Sequence, residues 1–140
     1  MSEHVVRLLI VDDEAVVRQA FTRILSGAHC VVDTAADGAE ALRKMRERPF
    51  DVVLLDLRMP GMDGLSVLRT IKHDWPDSEV IVITGYAALD SAKASVQAGA
   101  YDYLAKPVGP DEVLGATHGA LAHKRWALKR EPAPTVASLH

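Results

Sequence analysis

Near the middle of the chain the sequence reads Val52-Val53-Leu54-Leu55-Asp56, a short apolar run that ends abruptly at an acid. An apolar run of this length is too short for a helix and is typical of a strand buried on both faces of a parallel sheet. In open sheets of this kind, ligands bind outside the carboxyl ends of the strands. The run therefore predicts a buried parallel strand with Asp56 at its end, and Asp56 taken alone is either a functional residue or an acid that faces solvent.

Further strand candidates occur along the chain, with helical segments between them. They are residues 8–11, 30–32, 80–83 and 101–104. The segment after the first of them has apolar residues at the spacing of one helix face, at Val17, Ala20, Phe21, Ile24 and Leu25. A β-α unit that recurs in this way predicts an α/β fold, in which helices cover both faces of a parallel sheet.

Composition and charge exclude several classes of protein. The chain has 140 residues, the length of one domain, and its 49% hydrophobic and 25% charged residues exclude disorder throughout. Its net charge of −3 is unlike the basic footprint of a nucleic-acid-binding domain, so we expect no direct contact with DNA. Cys30 is the single cysteine and cannot form an internal disulfide, and no apolar run approaches the roughly 20 residues of a membrane span. These features predict a cytoplasmic protein without a membrane segment.

The sequence predicts a folded domain over residues 1–130 and a tail or linker over residues 131–140. Pro132 and Pro134 would break any helix that continued into this last segment. Two interpretations of the segment stay open. It is either the linker to a further domain outside this chain or the end of a stand-alone protein.

Three carboxylates, a hydroxyl and an ammonium are predicted to meet at the carboxyl edge of the sheet. The strand candidates lead, in chain order, to Asp12 and Asp13, to Asp56, to Thr84 and to Lys106. Crowded carboxylates repel one another, and a hard divalent cation such as Mg²⁺ relieves that repulsion. A carboxylate can also act as the nucleophile that forms an acyl phosphate, a reaction that needs little more than positioning and charge neutralisation. The edge therefore predicts a site for Mg²⁺ and a phosphoryl group.

The segments around these residues together resemble the receiver domain of bacterial two-component response regulators. The matching segments are Val11-Asp12-Asp13-Glu14, residues 54–64, Ile83-Thr84-Gly85 and residues 99–107, and the resemblance spans about residues 6–125. The sequence of residues 99–103 is most similar to that of receivers of enhancer-binding (NtrC-type) activators. The resemblance implies a doubly wound (βα)5 flavodoxin-like sandwich, with a five-stranded parallel sheet in the order 2-1-3-4-5.

The resemblance also implies how the acids act. Asp56 is expected to accept a phosphoryl group from a histidine kinase or a phosphotransfer domain. Mg²⁺ is expected to be bound by Asp13, Asp56 and the backbone carbonyl of Arg58, with Asp12 contributing through a water molecule. Such a domain promotes its own phosphorylation and dephosphorylation and turns over no separate substrate, so the resemblance does not imply an enzyme.

A conformational switch follows from the same resemblance. Thr84 and Lys106 are expected to contact the phosphoryl oxygens, and Tyr103 is expected to turn inward as Thr84 moves. The switched surface is the face formed by the fourth helix, fifth strand and fifth helix. Homodimerisation on phosphorylation and an output domain outside this chain are family expectations, as is a cis peptide bond between Lys106 and Pro107. The alternative for Tyr103 is a half-buried strand aromatic without a switching role.

In the family that this chain resembles, two positions beside the site tune how quickly the phosphoryl group is lost. Arg58 lies two residues after Asp56, and Tyr86 lies two residues after Thr84. A long cation and a bulky ring at these positions would shield an acyl phosphate from water, so we expect slow self-dephosphorylation. In the alternative, both side chains point into solvent and have no effect.

The last predicted helix ends in basic residues around Trp126. Basic residues at a helix end interact favourably with the helix dipole, which is the interpretation we favour, and a partner or dimer contact through Trp126 is the alternative. His118 and His123 lie five residues apart, which differs from the i, i+4 spacing of a zinc pair. We therefore assign no transition metal to the chain.

Two other classes of protein share part of the pattern. Phosphohydrolases of the haloacid dehalogenase type also use a strand-end aspartate and Mg²⁺, but they need a second Asp at the position of Arg58, and their nucleophile follows the first strand. Flavodoxin-like cofactor binders need a Ser/Thr/Gly-rich phosphate loop after the first strand. Asp12 and Asp13 stand there in this chain and would repel a flavin phosphate.

Overall fold

The structure is a computed structural model that describes residues 5–27 and 29–130, with side chains as far as residue 125. The predicted tail over residues 131–140 and the side chain of Trp126 lie outside the described residues. The domain boundary at residue 130 and the partner contact through Trp126 therefore stay predictions.

Five parallel strands form the main sheet, which confirms the predicted fold class. Counted within this sheet, the strands are β1 (Val6–Val11), β2 (Cys30–Ala35), β3 (Val52–Leu55), β4 (Glu79–Thr84) and β5 (Asp102–Ala105). They lie in the order 2-1-3-4-5, with β3 at the centre between β1 and β4. Every residue of β3 is buried, as expected for an apolar strand covered on both faces.

Within the described residues, five helices alternate with these strands. They are α1 (Ala15–Leu25), α2 (Gly38–Glu47), α3 (Gly64–Asp74), α4 (Leu89–Gln97) and α5 (Pro110–Arg130). Helices α1 and α5 pack on one face of the sheet, and α2 and α3 pack on the other, each pair over its own apolar core. Helix α4 contacts β5 and α3. Among the described residues, no helix is both long enough and apolar enough to span a membrane.

A small antiparallel hairpin follows β3, in the segment that the sequence predicts only as a turn-rich loop. It pairs Arg58 with Asp63 and turns at Gly61, whose φ of +78° lies in the left-handed region that favours glycine. The hairpin folds back tightly onto the end of β3. A Cβ atom on Gly64 would lie 2.4 Å from the Cα of Leu57, so this approach requires a glycine. The hairpin thereby fixes the backbone next to Asp56.

Candidate functional site

Asp12, Asp13 and Asp56 form an acidic cluster at the carboxyl ends of β1 and β3. These strands are direct neighbours, and the register pairs Val11 with Leu55, so the acids that follow them emerge side by side. One carboxylate oxygen from each lies within 4.8 Å of the others. Asp12 is 2% exposed and Asp56 is 7% exposed, whereas Asp13 faces solvent. The structure thus brings the three predicted acids together in a cluster that is open on one side.

Lys106, which follows the edge strand β5, reaches across to this cluster. Its Nζ atom lies 2.6 Å from Oδ2 of Asp12 and 3.3 Å from Oδ2 of Asp56. Burial works to lower the pKa of this ammonium group, but the hydrogen bonds and charges of Asp12 and Asp56 outweigh it and raise the pKa above its ordinary value. Lys106 is therefore a fixed positive charge. The peptide bond between Lys106 and Pro107 is cis, which confirms that expectation.

Backbone N–H groups orient the two buried carboxylates. The N–H of Glu14 donates to Oδ1 of Asp12 at 2.9 Å, and the N–H of Arg58 donates to Oδ1 of Asp56 at 3.2 Å. Each of these acids therefore has one oxygen held by the backbone and the other directed to Lys106. With both carboxylates oriented in this way, the cluster presents a preformed arrangement of charge.

Arg18 is a supporting residue of the site that the sequence analysis missed. It lies on α1, and its Nη1 atom donates a hydrogen bond to the backbone carbonyl of Asp12 at 2.7 Å. This contact ties the first helix to the end of β1. The available signal was the position of a long cation on the first turns of the helix that follows the acid pair, one helical turn after Glu14.

Thr84 and Tyr103 lie on the neighbouring strands β4 and β5. Thr84 ends β4 and is fully buried, and its hydroxyl accepts a hydrogen bond from the N–H of Tyr86 at 3.1 Å. Tyr103 on β5 is half-buried, and its hydroxyl lies 2.7 Å from Oγ of Ser91 on α4. The structure therefore links Tyr103 to the first turn of α4.

A cleft of about 690 Å³ opens over the acidic cluster, and its walls include Asp13, Asp56 and Lys106. Arg58 and Tyr86 also line it, and the guanidinium carbon of Arg58 lies 3.6 Å from the centroid of the Tyr86 ring. This distance is that of a cation–π contact. The two side chains that the sequence places near the site are thus stacked on each other at the cleft, although the ring of Tyr86 is largely exposed.

Comparisons with known proteins identify the family of this chain. The family model described as the response regulator receiver domain matches residues 8–118. The DNA-binding transcriptional regulator NtrC of Escherichia coli (strain K12) is 41% identical over 114 residues, which cover 81% of this chain and 24% of that protein. The chain spans about a quarter of the length of the curated relatives it matches.

Solved structures similar to this chain also include receiver domains. A response regulator receiver domain protein from Clostridium thermocellum is 34% identical, with a TM-score of 0.81 over 87% of this chain and 98% of that one. NtrX from Brucella abortus, solved in complex with ATP, is 33% identical with a TM-score of 0.82, over 92% of this chain and 29% of that one. These findings favour the receiver over the phosphohydrolase and the flavodoxin-like alternatives. The chain belongs to the response regulator receiver domain family of two-component systems, and it is similar to the receivers of enhancer-binding activators.

Proposed function

We propose that Asp56 accepts a phosphoryl group from the phosphohistidine of a histidine kinase or phosphotransfer domain. The observation that carries this proposal is the bridge that Lys106 forms between Asp12 and Asp56 within a cluster of three carboxylates. A partly buried cation that is held between two acids places positive charge where the oxygens of an arriving phosphoryl group must lie. Phosphoryl transfer is catalysed mainly by such positioning and charge neutralisation.

In the proposed step, an oxygen of the Asp56 carboxylate attacks the phosphorus atom and forms the new O–P bond. The P–N bond to the donor imidazole breaks, and the imidazole nitrogen leaves with its electron pair. The ammonium of Lys106 offsets the negative charge that gathers on the phosphoryl oxygens. Asp56 is pre-oriented for the attack because the N–H of Arg58 holds its Oδ1 atom.

The acidic cluster fits Mg²⁺, which prefers oxygen ligands and keeps several of its waters. All three side chains offer carboxylate oxygens within 4.8 Å of one another, and the exposed Asp13 leaves room for water and a phosphoryl oxygen. We propose that Asp13, Asp56 and the backbone carbonyl of Arg58 hold the ion, with Asp12 acting through water. When bound, the ion supplies positive charge to the phosphoryl oxygens.

The proposed output is a change in the face formed by α4, β5 and α5. A phosphoryl group adds a charge of roughly −1.5 to −2 at pH 7, and the hydroxyl of Thr84 and the ammonium of Lys106 are the groups that would turn to it. Helix α4 is suited to respond because Ser95 is its buried residue, whereas Leu89 and Val96 lie mostly in solvent. We propose that Tyr103 reorients with Thr84 and carries the change to α4.

The remaining proposals concern the context of the domain. Residues 1–130 form the receiver, and residues 131–140 form a linker or tail. The chain turns over no separate substrate, and its signal passes to an output domain or downstream protein outside this chain, through a homodimer that forms on phosphorylation. DNA binding, named for the relative NtrC, is assigned to regions outside this chain, because the chain carries a net charge of −3.

The proposal is tested by incubating the protein with acetyl phosphate in Mg²⁺ and measuring its intact mass. We expect the mass of one added phosphoryl group, and we expect no addition when EDTA removes the divalent ions. An unmodified protein in Mg²⁺ would reject the receiver chemistry. Equal addition in Mg²⁺ and in EDTA would reject the role of the metal.

Arg58→Ala and Tyr86→Ala are each expected to speed loss of the phosphoryl group about threefold, the size of an exposed cation–π contact worth somewhat less than 1 kcal/mol. Each change removes one half of the stack that lines the cleft. The measurement is the decay of the phosphorylated mass after the donor is removed. Tyr86→Phe is the matched control, because it keeps the ring, and it should decay like the wild type. Unchanged lifetimes in both alanine variants would show that the stack does not shield the acyl phosphate.

A further inference from the structure

Helix α4 begins without the side-chain cap that starts α2 and α3, and α1, with Glu14 at its N-cap, also lacks one. The first four N–H groups of a helix lack partners within it, and Ser, Thr, Asp or Asn at the N-cap usually accepts one of them. Helices α2 and α3 follow this rule, because Asp37 accepts from the N–H of Glu40 and Asp63 accepts from the N–H of Leu65. At the start of α4 the N-cap is Ala88, whose methyl side chain can accept nothing.

Two hydroxyl groups surround this uncapped start instead. Oγ of Ser91, in the first turn of α4, donates to the carbonyl of Ala88 at 3.0 Å, and Oη of Tyr103 lies 2.7 Å from the same Oγ atom. When the Ser91 proton is directed to the carbonyl, the Tyr103 hydroxyl is the donor in the second contact. The N–H of Ala88 lies 3.3 Å from both hydroxyl oxygens and is shared between them. All three residues thus belong to one hydrogen-bond network.

We propose that Ser91 is a positioning residue that makes the Tyr103 hydroxyl part of the N-terminal cap of α4. The orientation of Tyr103 and the integrity of the first turn of α4 then form one coupled equilibrium. If Tyr103 turns away, the N–H of Ala88 and the oxygen of Ser91 lose a partner and the first turn is weakened. By thermodynamic reciprocity, displacement of the first turn frees Tyr103.

The position of the network in the chain gives this coupling a direction. Thr84 ends β4, and the segment from Thr84 to Ala88 is the short connection into α4. The N–H of Tyr86 within that connection donates to the hydroxyl of Thr84. A movement of Thr84 therefore reaches Ala88 through the backbone, and Ala88 is also hydrogen-bonded to the Tyr103 hydroxyl. The meaning of this coupling for signalling rests on the proposed function, whereas the cap itself does not.

The cap is tested by amide hydrogen exchange measured by NMR on the full chain without a phosphoryl donor. We expect Ser91→Ala and Tyr103→Phe each to speed exchange at residues 88–91 about fivefold, the usual size of a lost helix cap. Because the two hydroxyls act together, the double variant should exchange no faster than the faster single variant. Ser66→Ala is the matched control, since Ser66 occupies the same third position in α3, and it should leave α4 unchanged. Multiplicative effects in the double variant, or wild-type exchange in Tyr103→Phe, would overturn the proposal.

A second arm uses Mg²⁺ and beryllofluoride, a mimic of the acyl phosphate, and reads the Tyr103 ring signals beside the amide signals of residues 88–91. In the wild type both sets should respond together. In Ser91→Ala the Tyr103 ring should respond while the α4 amides lose the part of their change that passes through Ser91, and Ser91→Thr, which keeps the hydroxyl, should restore it. An α4 response in Ser91→Ala equal to the wild type would overturn the coupling and leave the proposed function standing. No response in the wild type would count against the proposed function, while the exchange experiment still decides the cap.

Discussion

Replacing Asp56 by Asn is expected to abolish phosphoryl uptake and, without divalent cations, to raise the free energy of unfolding by on the order of 1 kcal/mol. Uptake is lost because the amide oxygen is a poor nucleophile. Stability rises because three carboxylates lie within 4.8 Å of one another and Lys106 supplies one balancing charge. The variant loses the longer of the two ion pairs of Lys106, at 3.3 Å, and keeps the shorter pair with Asp12, at 2.6 Å. The repulsion that is relieved between Asp56 and the other two carboxylates therefore outweighs the ion pair with Lys106 that is lost.

Asp51→Asn is the matched control for this prediction. Asp51 stands immediately before β3, whereas Asp56 stands immediately after it, and both are 7% exposed. Asp51 accepts from the N–H of Arg7 and pairs with Lys124, so its neutralisation should not stabilise the protein and should leave phosphoryl uptake intact. Intact mass and chemical denaturation in EDTA measure the two effects. Phosphoryl uptake by Asp56→Asn would contradict the role of Asp56. A free energy of unfolding for Asp56→Asn that is no higher than that of Asp51→Asn would contradict the charge balance described for the site.

Lys106→Met is expected to slow phosphoryl uptake about 100-fold, the usual cost of removing one group that stabilises developing negative charge. It should also lower the free energy of unfolding by about 2 kcal/mol, because it leaves Asp12 and Asp56 buried without their cation. The raised pKa of Lys106 sets the pH dependence. Its stabilising effect is fully present below the pKa of an unfolded lysine and is lost as the pH rises through the higher folded value. The difference between variant and wild type should therefore persist from neutral pH to about pH 10 and shrink above it.

Lys72→Met is the control that separates the effect of Lys106→Met on phosphoryl uptake from its effect on stability. The side chain of Lys72 is 19% exposed, as is that of Lys106, and it pairs with the buried Glu79 at the opposite end of the sheet. We expect Lys72→Met to destabilise the protein while phosphoryl uptake from acetyl phosphate keeps its wild-type rate. If both lysine variants slowed uptake equally, the slow reaction would reflect a loosened fold and not the charge of Lys106.

The sheet and the acidic cluster could be predicted because each depends on a local pattern. Apolar runs that end in polar residues mark buried parallel strands, and the geometry of a parallel sheet then brings Asp12, Asp56 and Lys106 to one edge. The pattern is weaker where a strand is less buried. The apolar run of the second strand ends at residue 32, but β2 continues to Ala35 because Asp33 and Thr34 pair with β1 at the edge of the sheet.

The contacts that depend on loop conformation could not be predicted from local pattern. Arg58 and Tyr86 were expected near the site, but their stacking requires the hairpin after β3 and the loop after β4 to approach each other. The network of Ser91 with Tyr103 depends on how α4 docks beside β5, and its only sequence signal is an alanine where a capping residue usually stands. Such contacts are set by tertiary packing and not by residue spacing.

The central claim, that Asp56 forms the acyl phosphate, is tested most directly by locating the phosphoryl group in the chain. Borohydride reduces an aspartyl phosphate to homoserine, so the protein is treated with acetyl phosphate and Mg²⁺, reduced, digested and mapped by tandem mass spectrometry. We predict homoserine at position 56 and unmodified aspartate at positions 12, 13 and 51. Homoserine at position 12 or 13, or a labelled protein in which position 56 stays aspartate, would contradict the account.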